Sequence, residues 1–169
     1  CAGENWDNFV NETVERGYYG LENLSAIPGT VGASSVQNIG AYGVDVSEYI
    51  QSVRAYDVRK EQFVDIKNEE CQFSYRDSLF KHQKGRFIIV SVTFNLKTSG
   101  EVNIEYKDLK EYFEIKNLGR SPSLREVREA VIAIRESKLP DWHKWGTAGS
   151  FFKNPIIPIQ KYVDLKQKY

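Results

Sequence analysis

The stretch LSAIPGTVGASSVQNIGAYG, Leu24 to Gly43, restricts the fold of this 169-residue chain more than any other. It has no P-loop lysine and no GxGxxG turn that opens a helix after a strand, so neither common nucleotide-binding motif applies. Its small residues would still let successive backbone amides face a pyrophosphate or a flavin ring. A purely structural turn explains the same composition equally well, and the residues alone leave both interpretations open. The wider segment 18–48 predicts a long loop-rich region, which is usually functional when ordered.

Regular structure is predicted on both sides of this segment. An amino-terminal helix is indicated by apolar residues at helical spacing, namely Trp6, Phe9, Val10 and Val14. Gly17 is placed to end that helix. Alternating patterns over Tyr49–Val58 and Gln62–Ile66 predict two strands joined by a turn at Arg59–Lys60. Phe87–Leu96 is nearly continuous in β-branched and aromatic residues, so we expect a central strand there.

The remainder of the chain favours helices. Asp108–Ile115 predicts a short helix, and Ser123 with Glu126 forms a capping box that opens a longer one. The buried stripe of that helix is expected at Leu124, Val127, Val131 and Ile134, with its end at about Ser137. The Ser-Pro-Ser punctuation before it places a domain boundary near Gly119. The polar tail is expected to begin a further helix.

Composition excludes several classes of partner. Lys and Arg total 23 and Asp and Glu total 23, so no basic field would attract nucleic acid or an anionic membrane. The longest apolar run, Phe87 to Val92, is too short to span a bilayer. Cys1 and Cys71 have no metal-ligand spacing and are expected to be free thiols in a reducing cytoplasm. We therefore predict a cytoplasmic protein without a metal site.

Four blocks carry a resemblance over nearly the whole chain. They are GLENLSAIPG from Gly20, QNIGAYG from Gln37, FSYRDS from Phe73 and GTAGSFFKNP from Gly146. Together they resemble the UDP-N-acetylenolpyruvoylglucosamine reductase family. That resemblance implies an FAD-dependent enzyme that uses NADPH to reduce a UDP-linked enolpyruvyl amino sugar, in peptidoglycan precursor synthesis.

The resemblance also implies an α+β fold. Residues 1–118 would be the second half of the FAD-binding domain, a mainly antiparallel sheet flanked by helices. Residues 119–169 would begin the α+β substrate-binding domain. In the family, the Ile-Pro-Gly turn and the Asn-Ile-Gly-Ala-Tyr-Gly turn line the flavin. The cofactor-binding residues implied here are Ile27, Pro28, Gly29, Gly32, Gln37, Asn38, Gly40, Ala41 and Tyr42.

Arg76 and Ser150 are the implied catalytic residues. A Tyr-Arg-Asp triplet by itself is more often a surface salt bridge, but Arg76 matches the family's catalytic arginine, beside Tyr75 as a substrate-binding residue. A guanidinium suits the enolate that develops when hydride adds to the enolpyruvyl group. Ser150 matches the family's general acid, and a serine hydroxyl can protonate so basic a carbanion. With His82 and His143 as the only histidines, a Ser-His-Asp hydrolase is unattractive.

Three further residues match substrate-binding positions of the family. Lys138 and Asn154 would hold the phosphate and polar groups of the substrate, and lysine is a natural phosphate partner. Tyr106 resembles a tyrosine that closes over the uracil, although an exposed aromatic at a strand end explains it nearly as well.

The chain contains no methionine, even at position 1. Compared with the family, it is expected to be a middle-to-carboxyl piece that is inactive by itself. The first FAD subdomain would precede Cys1, and a glutamate that assists protonation would follow Tyr169. Two alternatives remain open: another flavoprotein of the same FAD-binding class, such as an oxidase of alcohols or sugars, and a binding module without catalysis.

Overall fold

The computed structural model describes residues 1–141, 144–146 and 152–169, with helices and antiparallel strands in an α+β arrangement. These residues form two compact units, Cys1–Leu139 and Pro140–Tyr169. The α+β class predicted from the sequence is confirmed.

Helix α1, Trp6–Glu15, forms where the apolar spacing predicts it. The Asn5 side chain caps its first turn by accepting from the amide of Asn8, and Gly17 follows its end with φ +73°. Trp6 is 1% exposed, and its indole Nε1 donates to the carbonyl of Leu24 over 2.8 Å. The buried indole therefore fixes the helix against the loop that leads into the glycine-rich segment.

Three strands form the main sheet. Strands β3, Ile50–Asp57, and β4, Gln62–Lys67, pair as the predicted antiparallel hairpin. Strand β5, Phe87–Phe94, pairs with β3 on its other side. The expectation that this third strand is central was wrong within the described residues, where β3 is the middle strand. The apolar run of β5 arises because its inward side chains join the core while Ile88 and Val90 stay exposed.

The glycine-rich segment contains more regular structure than its composition indicated. Helix α2, Val31–Gln37, is capped by Thr30, and strands β1, Gly40–Ala41, and β2, Val44–Asp45, form a two-stranded ladder. Small residues hide α2 from a periodicity analysis, because Ser34 and Ser35 are buried while donating to backbone carbonyls of their own helix.

Two helices make a second core within the first unit. Helix α4, Lys107–Lys116, contacts α5, Leu124–Lys138, through residues including Leu109 and Phe113. The capping box of Ser123 and Glu126 is confirmed, and the predicted stripe of α5 is buried together with Ala130. A short helix α3, Leu79–His82, follows the Tyr-Arg-Asp-Ser motif.

The second unit contains helix α6, Ile159–Lys168, which confirms the helix expected in the polar tail. Helix α5 lies within the first compact unit, which extends to Leu139. The domain boundary near Gly119 concerns the division between cofactor and substrate domains and stays a prediction. The strand expected at Phe151 lies outside the described residues.

Candidate functional site

Arg76 is joined to the glycine-rich segment by three hydrogen bonds. Its Nη1 donates to Oδ1 of Asp45 over 2.7 Å and to the carbonyl of Asn38 over 3.3 Å. Its Nη2 donates to the carbonyl of Gly40 over 2.5 Å. The predicted catalytic arginine and two predicted cofactor-binding residues, Asn38 and Gly40, are therefore brought together, although 36 or more positions separate them in sequence.

Two more side chains fasten the arginine loop to the end of α2. The Asn38 amide donates to the carbonyl of Ser74 over 2.8 Å, while its oxygen accepts from the amide of Ser47. The buried Ser78 hydroxyl donates to the carbonyl of Val36 over 2.7 Å. These bonds fix the loop on both sides of Arg76, so its guanidinium is held by local structure before any ligand arrives.

Gly40 provides the space for the arginine. A Cβ at this position would overlap Oδ1 of Asp45 and both terminal nitrogens of Arg76. The glycine is therefore required by the ion pair, a reason distinct from the close cofactor approach that we expected. The Tyr75 ring lies on another side of the guanidinium, with 4.9 Å from its centroid to Cζ of Arg76.

Part of the backbone strain lies at the predicted site. Among the described residues, seven other than glycine have positive φ values, and four of them are Ala26, Asn38, Tyr42 and Arg76, between +45° and +58°. The other three, Glu61, Gln72 and Asn117, lie elsewhere in turns or at helix ends. Such values are uncommon outside glycine and persist where surrounding contacts enforce them, often at functional sites.

The Ile27-Pro28-Gly29 turn is held through Ala26. Oδ1 of Asp7 accepts from the Ala26 amide over 2.6 Å, and both oxygens of this carboxylate accept from Arg128 of α5. Burial by itself would raise the pKa of Asp7, but the hydrogen bonds from Arg128 and Ala26 hold it below its usual 3.8. Because Arg135 also donates to the Ala26 carbonyl, the strained residue is bound at both its polar groups.

A cleft of about 470 Å³ adjoins the predicted cofactor segment. Its lining consists of small and apolar residues, namely Ala2, Gly3, Thr30, Gly32, Ala33, Val36, Phe80, Phe87 and Ile89. Gly32 is buried against the amino-terminal segment, where a Cβ would lie 2.8 Å from that of Ala2. The cleft includes Thr30, which directly follows the exposed Pro28 and Gly29, and a cleft of this size is of the kind that holds part of an organic ligand.

A second cluster surrounds Tyr42. The ring of Tyr42 meets that of Tyr106 edge-on, with 5.4 Å between centroids. Nζ of Lys138 lies 2.7 Å from Oδ2 of Asp108, and this carboxylate raises the pKa of Lys138. Burial raises the pKa of the Tyr42 phenol, with smaller opposing effects from Arg135 and Lys138. The predicted Tyr42, Tyr106 and Lys138 thus occupy one neighbourhood.

Asn23 connects this cluster to the preceding chain. Its Nδ2 donates to the carbonyls of Tyr42 and Asn103, each over 2.9 Å. The side chain is 1% exposed, and its Oδ1 has no hydrogen-bond partner among the residues that the structure describes. The Asn23 amide therefore fixes the carbonyl of Tyr42 in the Asn-Ile-Gly-Ala-Tyr-Gly turn, which is predicted to line the flavin.

The remaining predicted residues are placed as follows. Gln37 is exposed at the end of α2, and Ala41 is half-buried in β1. Asn154 is exposed in the second unit. Ser150 lies outside the described residues, so its role stays a prediction.

Three further observations concern the cysteines, the length of the helices and possible metal ligands. Both cysteines are free, and burial raises the pKa of the Cys71 thiol to about 12, which leaves it a poor nucleophile at neutral pH. The described helices include none that is long and apolar enough to cross a membrane. Residues 1–141, 144–146 and 152–169 contain no group of three or more His, Cys, Asp or Glu that could hold a metal ion.

Several supporting residues were missed in the sequence. Asp45 and Asp7 lie outside the quoted motifs, and Ala26 and Asn23 lie inside one without having been given a role; each acts on a partner at least 19 positions away. A hint was available only for Asp45, an acidic residue directly after a glycine turn.

Comparison with known proteins gives a consistent result. Residues 1–66 match the family described as FAD binding domain. A UDP-N-acetylenolpyruvoylglucosamine reductase of Neisseria gonorrhoeae is 52% identical over 99% of this chain and 49% of its own length. One from Bdellovibrio bacteriovorus is 52% identical over 92% of this chain and 46% of its own length. The chain thus spans about half the length of the curated relatives it matches.

A solved structure supports the fold. The crystal structure of UDP-N-acetylenolpyruvylglucosamine reductase from Thermus caldophilus matches with a TM-score of 0.65 and 23% identity. The match covers 98% of this chain and 52% of that one. The resemblance that the sequence motifs predicted is confirmed, as is the fold class, and the FAD prediction is supported.

Proposed function

We propose that this chain acts as part of a UDP-N-acetylenolpyruvoylglucosamine reductase. Nearly its whole length is similar to such reductases, and it covers about half the length of each. The proposal rests on one observation above all. The guanidinium of Arg76 is bonded to the carbonyls of Asn38 and Gly40, within the segment that the FAD-binding resemblance assigns to the flavin. A fixed cation beside a flavin segment suits the reduction of an anionic enolpyruvyl ether.

FAD, when bound, supplies the hydride that the substrate takes up at its methylene carbon. The electron pair of the substrate's double bond then moves toward the neighbouring carbon and its carboxylate. Arg76 would stabilise this charge, because Nε–H and one Nη2–H make no bond to the described residues and remain available to a carboxylate.

Ser150 completes the reaction by delivering a proton to the carbon that carries the ether oxygen and the carboxylate. The carbon–carbon double bond becomes a single bond, with the hydride on one carbon and the serine proton on the other. A serine hydroxyl suffices because the carbanion is strongly basic. No metal is needed in this scheme.

The Tyr42 neighbourhood would hold the UDP part of the substrate. Lys138 provides a charge for phosphate and Tyr106 an exposed ring for the uracil. Tyr75, beside Arg76, and Asn154 would be further substrate-binding residues by the family resemblance. NADPH would be the reductant, and the product would be UDP-N-acetylmuramate for peptidoglycan synthesis in the cytoplasm.

The test uses the complete protein with Ser150→Ala. The change removes one oxygen next to Gly149, so folding and FAD content should persist, and NADPH should still bleach the flavin. Reoxidation by the enolpyruvyl substrate should slow by about two to four orders of magnitude, the contribution of a general acid. Single-turnover flavin absorbance measures both steps.

Ser150→Cys, which keeps an ionisable proton, should recover part of the rate. Reoxidation of the alanine variant at the parental rate would assign Ser150 a packing role only. A parent that shows no substrate-dependent reoxidation, but oxidises alcohols or sugars, would favour another flavoprotein of the same class. A parent without bound flavin would favour a non-catalytic module.

A further inference from the structure

Arg76 and Asp45 form an ion pair next to the two-stranded ladder of β1 and β2. Asp45 ends β2, and its Oδ1 lies 2.7 Å from Nη1 of Arg76. The backbone that carries this carboxylate is itself held in place, because Asp45 is the N-cap of the short turn of helix at Val46–Glu48 and its amide donates to Oε1 of Glu48. One face of the arginine is thereby fixed by a preorganised anion.

The ladder is built around this pair. β1 and β2 pair Gly40 with Asp45, so the two residues face each other directly. Any side chain at Gly40 would enter the volume that Asp45 and Arg76 occupy. The side chains are 39% and 24% exposed, so water competes only partly for their bond.

Asp45 also decides which donors of Arg76 remain available. It and the Asn38 carbonyl use Nη1, while the Gly40 carbonyl uses Nη2. Without the carboxylate, the Nη1 end would lose its strongest acceptor and the guanidinium could rotate about its last bonds. Rotation would redirect the remaining Nε–H and Nη2–H donors.

We propose that Asp45 is the positioning residue of the reductase site. It fixes the rotamer of Arg76 so that the Nε–H and Nη2–H donors face the substrate carboxylate. Asp45 acts on the arginine alone and touches neither substrate nor cofactor. This inference rests on the proposed function, because it assigns to Arg76 the task of binding developing charge.

The kinetic test compares Asp45→Asn with Asp65→Asn in the complete protein. Asp65 is a matched control, an exposed aspartate 3.9 Å from Arg54 on the main sheet. Asp45→Asn should slow flavin reoxidation by the enolpyruvyl substrate about tenfold or more, from the loss of one charge-assisted bond, and leave flavin reduction by NADPH unchanged. Asp65→Asn should match the parent in both steps.

A double-mutant cycle tests whether Asp45 acts through Arg76. In an Arg76→Ala background, adding Asp45→Asn should change the reoxidation rate less than twofold, since the group it positions is gone. An unchanged tenfold effect in that background would overturn the proposal, because Asp45 would then act independently of the arginine.

A spectroscopic measurement gives a readout that does not depend on turnover. In the complete protein labelled with ¹⁵N-arginine, the guanidinium signals of Arg76, assigned by their loss in Arg76→Lys, should be resolved. Asp45→Asn should average them through faster rotation, whereas Asp65→Asn should not. Resolved signals in Asp45→Asn would show that the carbonyls alone hold the arginine and would overturn the proposal.

The outcomes separate the two claims. If the parent does not reduce the enolpyruvyl substrate, the proposed function fails, while the NMR comparison still reports on the pair. If the parent is active, Arg76→Ala is inactive and Asp45→Asn equals the parent in both measurements, the positioning role alone fails.

Discussion

The two clusters on either side of the Asn38–Gly43 turn are held in very different ways. Arg76 is 24% exposed and bonds one carboxylate and two carbonyls, inside a loop that Asn38 and Ser78 fasten at both ends. Lys138 is 55% exposed, and its one ion pair within the described residues is with Asp108. Exposed pairs of that kind contribute little to stability.

The difference suits the two tasks that we propose. A group that stabilises developing charge gains from being fixed in advance, because no reorganisation is then needed during the reaction. A group that receives a large substrate must exchange one partner for another. An exposed lysine on an exposed ion pair can leave Asp108 for a phosphate at small cost, which the fastened arginine could not do.

Arg76→Ala in the complete protein should have the largest effect, and it tests whether the fixed arginine takes part in substrate reduction. Removal of a preorganised donor should raise the barrier of substrate reduction by about 3 kcal/mol, a slowing of roughly two orders of magnitude. Flavin reduction by NADPH should stay near the parental rate. Stopped-flow absorbance separates the steps, and Arg54→Ala on the exposed face of the main sheet is the control. Equal slowing of both steps would show that Arg76 is structural.

Asp7→Asn tests the contact that holds α5, the helix of Lys138, against Ala26. Asp7 makes this contact by accepting hydrogen bonds from Arg128 of α5 and from the Ala26 amide. The variant should lose about 1 kcal/mol of unfolding free energy at pH 7, since a charge-assisted contact to Arg128 is weakened at a partly exposed site. Urea unfolding measures it. The control is Glu12→Gln. Glu12 lies on α1, as Asp7 does, and its carboxylate forms an exposed ion pair with Arg16, so this change should leave the unfolding free energy unchanged.

The same variant gives a pH dependence with a defined sign. The pKa of Asp7 is lower in the folded protein than its usual 3.8, so its ionised form contributes stability above that pH. The difference between parent and variant should stay constant from pH 7 to about 3.8 and narrow below it. A difference that narrows already near neutral pH would contradict the depressed pKa.

Lys138→Ala should have the smallest effect on the chemistry. We expect a KM for the UDP substrate raised about tenfold, the equivalent of one charged hydrogen bond, with little change in kcat or stability. Steady-state kinetics and thermal unfolding check the two parts. The control is Lys110→Ala, an exposed lysine on α4. A large fall in kcat with an unchanged KM would instead place Lys138 in the reacting centre.

Much of the fold could be predicted because its signals are local. The spacing of apolar residues and the capping box of Ser123 and Glu126 gave α1 and α5 within a residue or two. The hairpin of β3 and β4 followed from alternation and a short turn. Helix α2 was not predicted because, apart from Val31, its buried face consists of glycine and serine, which give no hydrophobic periodicity.

The sequence predicted several residues of the candidate site, but it did not predict which of them contact each other. The motifs identified Arg76, Asn38 and Gly40, yet gave no reason to place them in contact. The partner that holds the arginine, Asp45, was not found at all, because a single aspartate two positions after a glycine is ordinary in any sequence.

The sequence by itself determined helices α1, α4, α5 and α6, the hairpin and the family resemblance, since each depends on residues within a few positions or on contiguous motifs. Only the tertiary structure decided that β5 is an edge strand of the described sheet, that Asp45 holds Arg76, and that Asp7 and Arg128 meet across 121 positions. Those pairings depend on how the chain packs around Gly40 and Ala26. Charge and hydrogen-bonding capacity define what a side chain can do, whereas packing selects the partner with which it does so.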